Sequence, residues 1–193
     1  MQYNHMWGRP VTLPLHVFCA VVDDFRRLLA PLADHDAHVG LSEERDPRLD
    51  DDVIAFNGVS PCQHGRRLRR VTDVGRLLAV RSPPPLDGRV ENRLQAFRRR
   101  ECRGCCPLQP FVLERELAQA DLADGRASVW RWCRTDRRPY DLAVMCVLIV
   151  AREHFGPSFL VDSNGDEPQW LEARLLCERV LGYGLQTLLW HGD

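Results

Sequence analysis

The sequence predicts an α+β fold, a small mixed sheet packed on helices within a single domain over residues 1–193. Three observations carry that expectation. Every residue from Leu142 to Ala151 is apolar, and a helix that is apolar all round is buried on most of its sides. The stretch from Ser128 to Gly184 reads as strand, helix, strand, helix, the pattern of an α/β crossover. Asp52–Asn57 is a short apolar run closed by Asn57-Gly58, a turn pair, and reads as a further strand.

Composition narrows the function classes. A net charge of -1 excludes a globally basic nucleic-acid binder and a strongly acidic tail, while leaving room for a local patch. All 26 basic residues are arginine and isoleucine occurs only at Ile54 and Ile149. Losing residues with A/T-rich codons together points to a GC-rich genome, so arginine number alone argues little. A particular arginine still binds planar anions bidentately, which lysine cannot do. Of the 8 cysteines, Cys19, Cys146 and Cys177 fall in apolar helical patterns and read as buried free thiols. A disulfide framework is not expected in a chain of this length without an export signal. Val11–Val22 is apolar, but His16 interrupts it and Asp23 and Asp24 follow. No apolar run reaches the roughly 20 residues that span a bilayer. The expected compartment is the cytoplasm, with no membrane partner.

Taken in order, Met1–Arg9 reads as an irregular arm with Tyr3, Met6 and Trp7 tucked onto the body. Thr12 and Pro14 mark a helix start. Leu15, Phe18, Val22, Phe25 and Leu29 then recur at helical spacing, and the helix is expected to end near Ala30, before Pro31. Ala33–Asp52 is polar. Its Asp34, His35, Asp36 and His38 are metal-ligating types without a motif spacing, and a solvated loop is the plainer reading. After the Asp52–Asn57 strand, residues 60–110 read as an irregular, arginine-rich insertion. Arg69–Val74 and Arg76–Arg81 can pair as edge strands, Pro83–Pro85 breaks the chain, and Asn92–Arg100 can form a short basic helix. Twelve arginines lie between Arg66 and Arg103. That segment suits an exposed insertion, a basic arm on phosphates, or GC-rich DNA read out of frame, which yields much Arg, Pro, Gly and Cys. Phe111–Ala123 is expected to be a helix, with Gly125 turning into the last unit.

In that unit, Val129, Trp130 and Trp132 make Ser128–Cys133 β-prone. Asp136 is expected to cap the next helix, Pro139 to sit in its first turn, and Gly156 to stop it after Phe155. Ser158–Asp162 is the next strand and Asn164-Gly165 a turn. Asp166 and Gln169 have the spacing of a capping box for the helix Glu167–Leu181. Trp170, Ala173, Cys177, Val180 and Leu181 share one face of that helix, with Glu172, Arg174, Glu178 and Arg179 mainly opposite. The two strands are expected to make a right-handed parallel crossover if they share a sheet. Leu185–Trp190 should pack back as a short helix or strand.

Three clusters are candidate sites. Arg131, Arg134, Arg137 and Arg138 gather where a strand gives way to the buried helix. A helix N-terminus offers unpaired N–H groups and partial positive charge, so arginines there strengthen an anion site, or else pair with Asp136, Asp141 or another carboxylate. No glycine-rich phosphate loop accompanies them. Asp141, Asp162 and Asp166 could hold Mg²⁺ for phosphate-ester hydrolysis. Asp162–Asp166 departs from a calcium loop, because its Gly falls fourth and Ala173 stands where Glu is needed. Cys102, Cys105 and Cys106, with Cys62 and His64, could build a tetrahedral zinc site, although Cys62-x-His64 lacks standard spacing. His154 and His191 read as isolated surface histidines. The expectation is a non-enzymatic accessory protein without a cofactor, meeting nucleic acid or another phosphate-bearing ligand through Arg131–Arg138. The alternative is a metal-dependent phosphate-ester hydrolase using Asp141, Asp162 and Asp166.

Overall fold

The strand β1 (Asn4–Arg9) lies at the centre of a three-stranded sheet, between β6 (Val129–Arg134) and β7 (Leu160–Ser163), antiparallel to both. This corrects the expectation of an irregular arm. Alternation along β1 sends Tyr3, His5, Trp7 and Arg9 inward, all buried. Two of those four, His5 and Arg9, are basic types, so the period of two is invisible to a count of apolar residues. The computed structural model describes residues 2–35, 37–41, 46–59, 106–118 and 129–189.

A second antiparallel sheet is built on β4 (Val53–Gly58). β5 (Phe111–Glu114) pairs with it from Val53↔Glu114 to Phe56↔Phe111. The two-residue strands β2 (Val39–Gly40) and β3 (Arg48–Leu49) pair with β4 as well. Phe111–Glu114 is therefore a strand and not the start of a helix. Phe111 and Leu113 are buried while Val112 and Glu114 are only partly so, a period of two that the helical spacing of Leu113 and Leu117 masks.

Three helices are present among the described residues: α1 (Leu15–Asp34), α2 (Asp141–Phe155) and α3 (Glu167–Leu181). The fold is α+β, as predicted, but both sheets are antiparallel throughout rather than mixed. β6 and β7 do run parallel to each other and are joined through α2, with β1 inserted between them. α2 is the core helix: every residue from Asp141 to Ala151 is buried, against α1, α3 and the inner face of β1 and β7. A row of rings, Trp7–Phe111 at 4.8 Å, Phe111–Phe56 at 5.1 Å and Phe56–Phe25 at 5.2 Å between centroids, joins the two sheets and α1 in one core.

Several local expectations change. α1 continues through Pro31, because Leu28 and Leu32 extend its buried stripe by another turn and packing outweighs the hydrogen bond that proline cannot make. Pro14 sits at its N-cap position, one residue before the first turn, and Cys19 is half-buried where a buried thiol was expected. α2 begins at Asp141 with Tyr140 at the N-cap position, so Asp136 does not cap it and Pro139 precedes it. Asp166 stands at the N-cap position of α3 without a side-chain cap, so no capping box forms. Glu172 and Arg174 are buried rather than solvated. Glu172 lies 3.2 Å from His35 Nδ1. Arg174 bonds Glu167 and the carbonyl oxygens of Gly184 and Thr187, holding the C-terminal tail as irregular chain. The expected strands over Arg69–Arg81 and the expected helix at Asn92–Arg100 lie outside the described residues, as does His191.

A buried arginine ties the two sheets together. Arg9 donates to the carbonyl oxygens of Pro10 at 2.9 Å, Val11 at 3.0 Å, Arg115 at 2.8 Å and Glu114. Burial pulls its pKa down to about 10, which leaves it charged at neutral pH.

Candidate functional site

The turn between β6 and α2 holds an unusual backbone conformation. Asp136 and Arg137 stand at φ 47° and 56°, the left-handed region that side chains other than glycine's rarely enter. Arg138 N–H donates to Thr135 O at 3.0 Å and closes the turn. Tyr3 holds it in place. Its carbonyl accepts from Thr135 N–H at 3.0 Å and Asp136 N–H at 3.2 Å, and its own N–H donates to Asp136 Oδ1 at 3.1 Å. The Arg137 guanidinium lies over the Tyr3 ring, 4.6 Å from its centroid.

The four arginines of this stretch take different roles. Arg134 makes a two-pronged pair with Asp136, Nε to Oδ1 at 3.0 Å and Nη2 to Oδ2 at 2.7 Å. The pair raises the pKa of Arg134 and lowers that of Asp136. Arg138 is half-buried and donates to Pro107 O. Arg131 lies on the inward side of β6, opposite Trp7. Arg137 is the exposed one. Between Arg134 and Arg138, three guanidinium groups stand against one carboxylate.

Beside the turn, the outer face of the three-stranded sheet is open. Alternation on β6 turns Trp130, Trp132 and Arg134 outward, and the two indoles are 48% and 55% exposed. The cross-strand register arranges this face in rows: Trp130, Gly8 and Leu160; then Trp132, Met6 and Asp162; then Arg134 and Asn4. The Trp130 ring lies over Gly8, where a Cβ would come within 3.0 Å of it. The free edge of β6 is met by the Gln109 side chain, whose Oε1 accepts from Arg134 N–H at 3.0 Å.

The aspartates are spread apart. Asp141 is buried and faces His5 Nε2 at 2.8 Å, and it also accepts from Thr135 Oγ1. His5 Nδ1 lies 3.0 Å from Ser163 Oγ. Because Ser163 faces this inner network, its neighbour Asp162 is turned to the outer face. Asp166 is exposed at the start of α3. Cys106 is buried, and Cys62, His64, Cys102 and Cys105 lie outside the described residues. Among the described residues no group of three or more His, Cys, Asp or Glu is placed to hold a metal ion.

Ser163, His5 and Asp141 form a relay that no spacing in the sequence announces. The His5 ring is fully buried, edge-on to Trp170 at 5.2 Å, and the Ser163 hydroxyl accepts from Gly165 N–H at 3.0 Å. With the imidazole sealed and the hydroxyl engaged, the relay joins β1, β7 and α2 and presents no free nucleophile. His154, expected on the surface alone, is half-buried and bonds Asp24 Oδ2 at 2.9 Å. Desolvation and Asp141 push the buried Cys133 thiol up to about 12, so it is inert as a nucleophile. Strand periodicity applied to Ser128–Cys133 would have placed Trp130 and Trp132 together on one side, which is the signal for the exposed face. No family model, no curated protein and no solved structure matches this chain.

Proposed function

We propose that this chain is a non-enzymatic, cytoplasmic binding protein that meets an anionic, phosphate-bearing partner at the β6–α2 turn. One observation carries the reading. Arg137 is exposed at φ 56°, a conformation that costs a side-chain-bearing residue on the order of 1 kcal/mol or more, and the surrounding bonds to Tyr3 enforce it. Strain held in place by so many contacts is commoner at binding sites than elsewhere. Arg134, fixed by Asp136, supplies a second, oriented guanidinium in the same stretch. No described helix is long and apolar enough to cross a membrane, and Cys19, Cys133 and Cys177 are free thiols, which supports a reducing compartment.

Arg137→Gly tests this cleanly. It removes the guanidinium while supplying the residue best suited to a positive φ, so folding is preserved. Inorganic polyphosphate should raise the melting temperature of the wild type and bind the variant at least several-fold more weakly. Equal binding to both, or no binding to either, overturns the proposal.

A further inference from the structure

We infer that the partner is single-stranded nucleic acid, with its bases stacked on Trp130 and Trp132 across the open face of the three-stranded sheet. This deepens the function proposed above and rests on it. Two indoles of a single strand are about half exposed, side by side, on a face that also carries Met6, Gly8 and Leu160, with Asp162, Asn4 and Arg134 towards one end. Residues two apart on a strand are about 6.6 Å apart. That is close to twice the roughly 3.4 Å rise per nucleotide of one strand, so successive bases of an opened strand can each reach a ring. Gly8 matters here. Without a Cβ beneath it, the Trp130 ring settles onto β1 and still keeps about half of its surface exposed.

Charge decides which occupant suits the face. Arg134 follows Trp132 in the outward series, so the indoles give way to a guanidinium group at one end of the face, and Arg137 stands at the turn beyond it, against the Tyr3 ring. Aromatic platforms with basic neighbours bind single strands because every base has a π-face and every nucleotide a phosphate. Asp162, across Met6 from Trp132, repels phosphate from the β7 side and keeps the backbone on the β6 side. In a duplex the bases are paired and stacked away from a flat sheet, so double-stranded nucleic acid is a poor fit.

The test uses the full chain and three fluorescently labelled probes of equal length: an oligothymidylate, an abasic phosphodiester strand, and a duplex. Tryptophan emission should quench saturably with oligothymidylate. Trp132→Ala should weaken its binding by about tenfold or more, with Trp132→Phe largely restoring it. The abasic strand and the duplex should bind more weakly and leave the emission unchanged. Trp132 is the residue to vary, since Trp130 also covers Gly8. If base-bearing and abasic strands bind alike and Trp132→Ala changes neither, stacking is overturned while the anion reading stands. If no strand binds and polyphosphate also fails, both fall. If the chain instead self-associates through this face, in a manner that Trp132→Ala abolishes, and binds no oligonucleotide, the face is a protein interface and the inference is overturned.

Discussion

His5 and Asp141 are sealed together in the core, with His5 Nε2 at 2.8 Å from Asp141 Oδ1 and neither residue more than a few per cent exposed. One comes from the middle strand and the other from the first turn of the core helix. The pair therefore sets how β1 sits against α2.

Removing one partner leaves the other buried without its bond, which costs about 3 kcal/mol or more. His5→Ala and Asp141→Ala should each lower the free energy of urea unfolding by about that amount. Asp141→Asn, which can still bond Thr135, should lose less. A loss under about 1 kcal/mol for both alanine variants would show that the network contributes little.

Arg9 is a second buried linkage, and its partners are all backbone. Arg9→Met keeps the aliphatic bulk but removes the charged bonds to the carbonyl oxygens of Val11, Glu114 and Arg115. A destabilisation on the order of 3 kcal/mol is expected by chemical denaturation. Arg9→Lys should rescue little, since one ammonium cannot reach carbonyls spread around a planar fork. Full rescue by lysine would mean that charge, not geometry, is what matters.

Asp24 makes stability depend on acid. Burial raises its carboxyl pKa, but bonds from Tyr183 at 2.7 Å, His154 at 2.9 Å and Arg27 at 2.8 Å outweigh that and hold it below the ordinary value. A depressed folded pKa gives stability that is complete above the unfolded value of about 3.9 and lost as pH falls through the folded one. Below about pH 4 the melting temperature should drop, and Asp24→Asn should flatten that limb while lowering stability at neutral pH. An unchanged acid limb in Asp24→Asn would assign it to other carboxylates.

What the sequence made legible follows from which residues face inward. Leu142–Ala151 is apolar without exception, and α2 is buried as expected. The strands at Val53 and Val129 and the helix Glu167–Leu181 were also visible, because their apolar content is local. β1 was not, since His5 and Arg9 occupy inward positions and look like surface residues until Asp141 and the carbonyls of β5 are brought to them. The arginine stretch could be located, but not its division of labour. Arg134 turns outward and Arg131 inward by strand parity, while Arg137 depends on a turn conformation that no propensity assigns to arginine. The Ser163–His5–Asp141 relay joins residues 158 and 136 positions apart, a relation only tertiary structure creates.

The placement of β1 between β6 and β7 has a kinetic side. Hydrogen bonds from Tyr3, just before it, and from Asn4 reach 133 residues along the chain to Asp136 and 160 to Asn164. During synthesis Asn4–Arg9 must wait, unpaired, until β6 and then β7 have been made, so this sheet is completed late. Contacts this distant are reached slowly, because long loops must close before any bond rewards them. Refolding should thus show the helices forming well before the three-stranded sheet, and the outer face with its two indoles is complete only once β7 is in place.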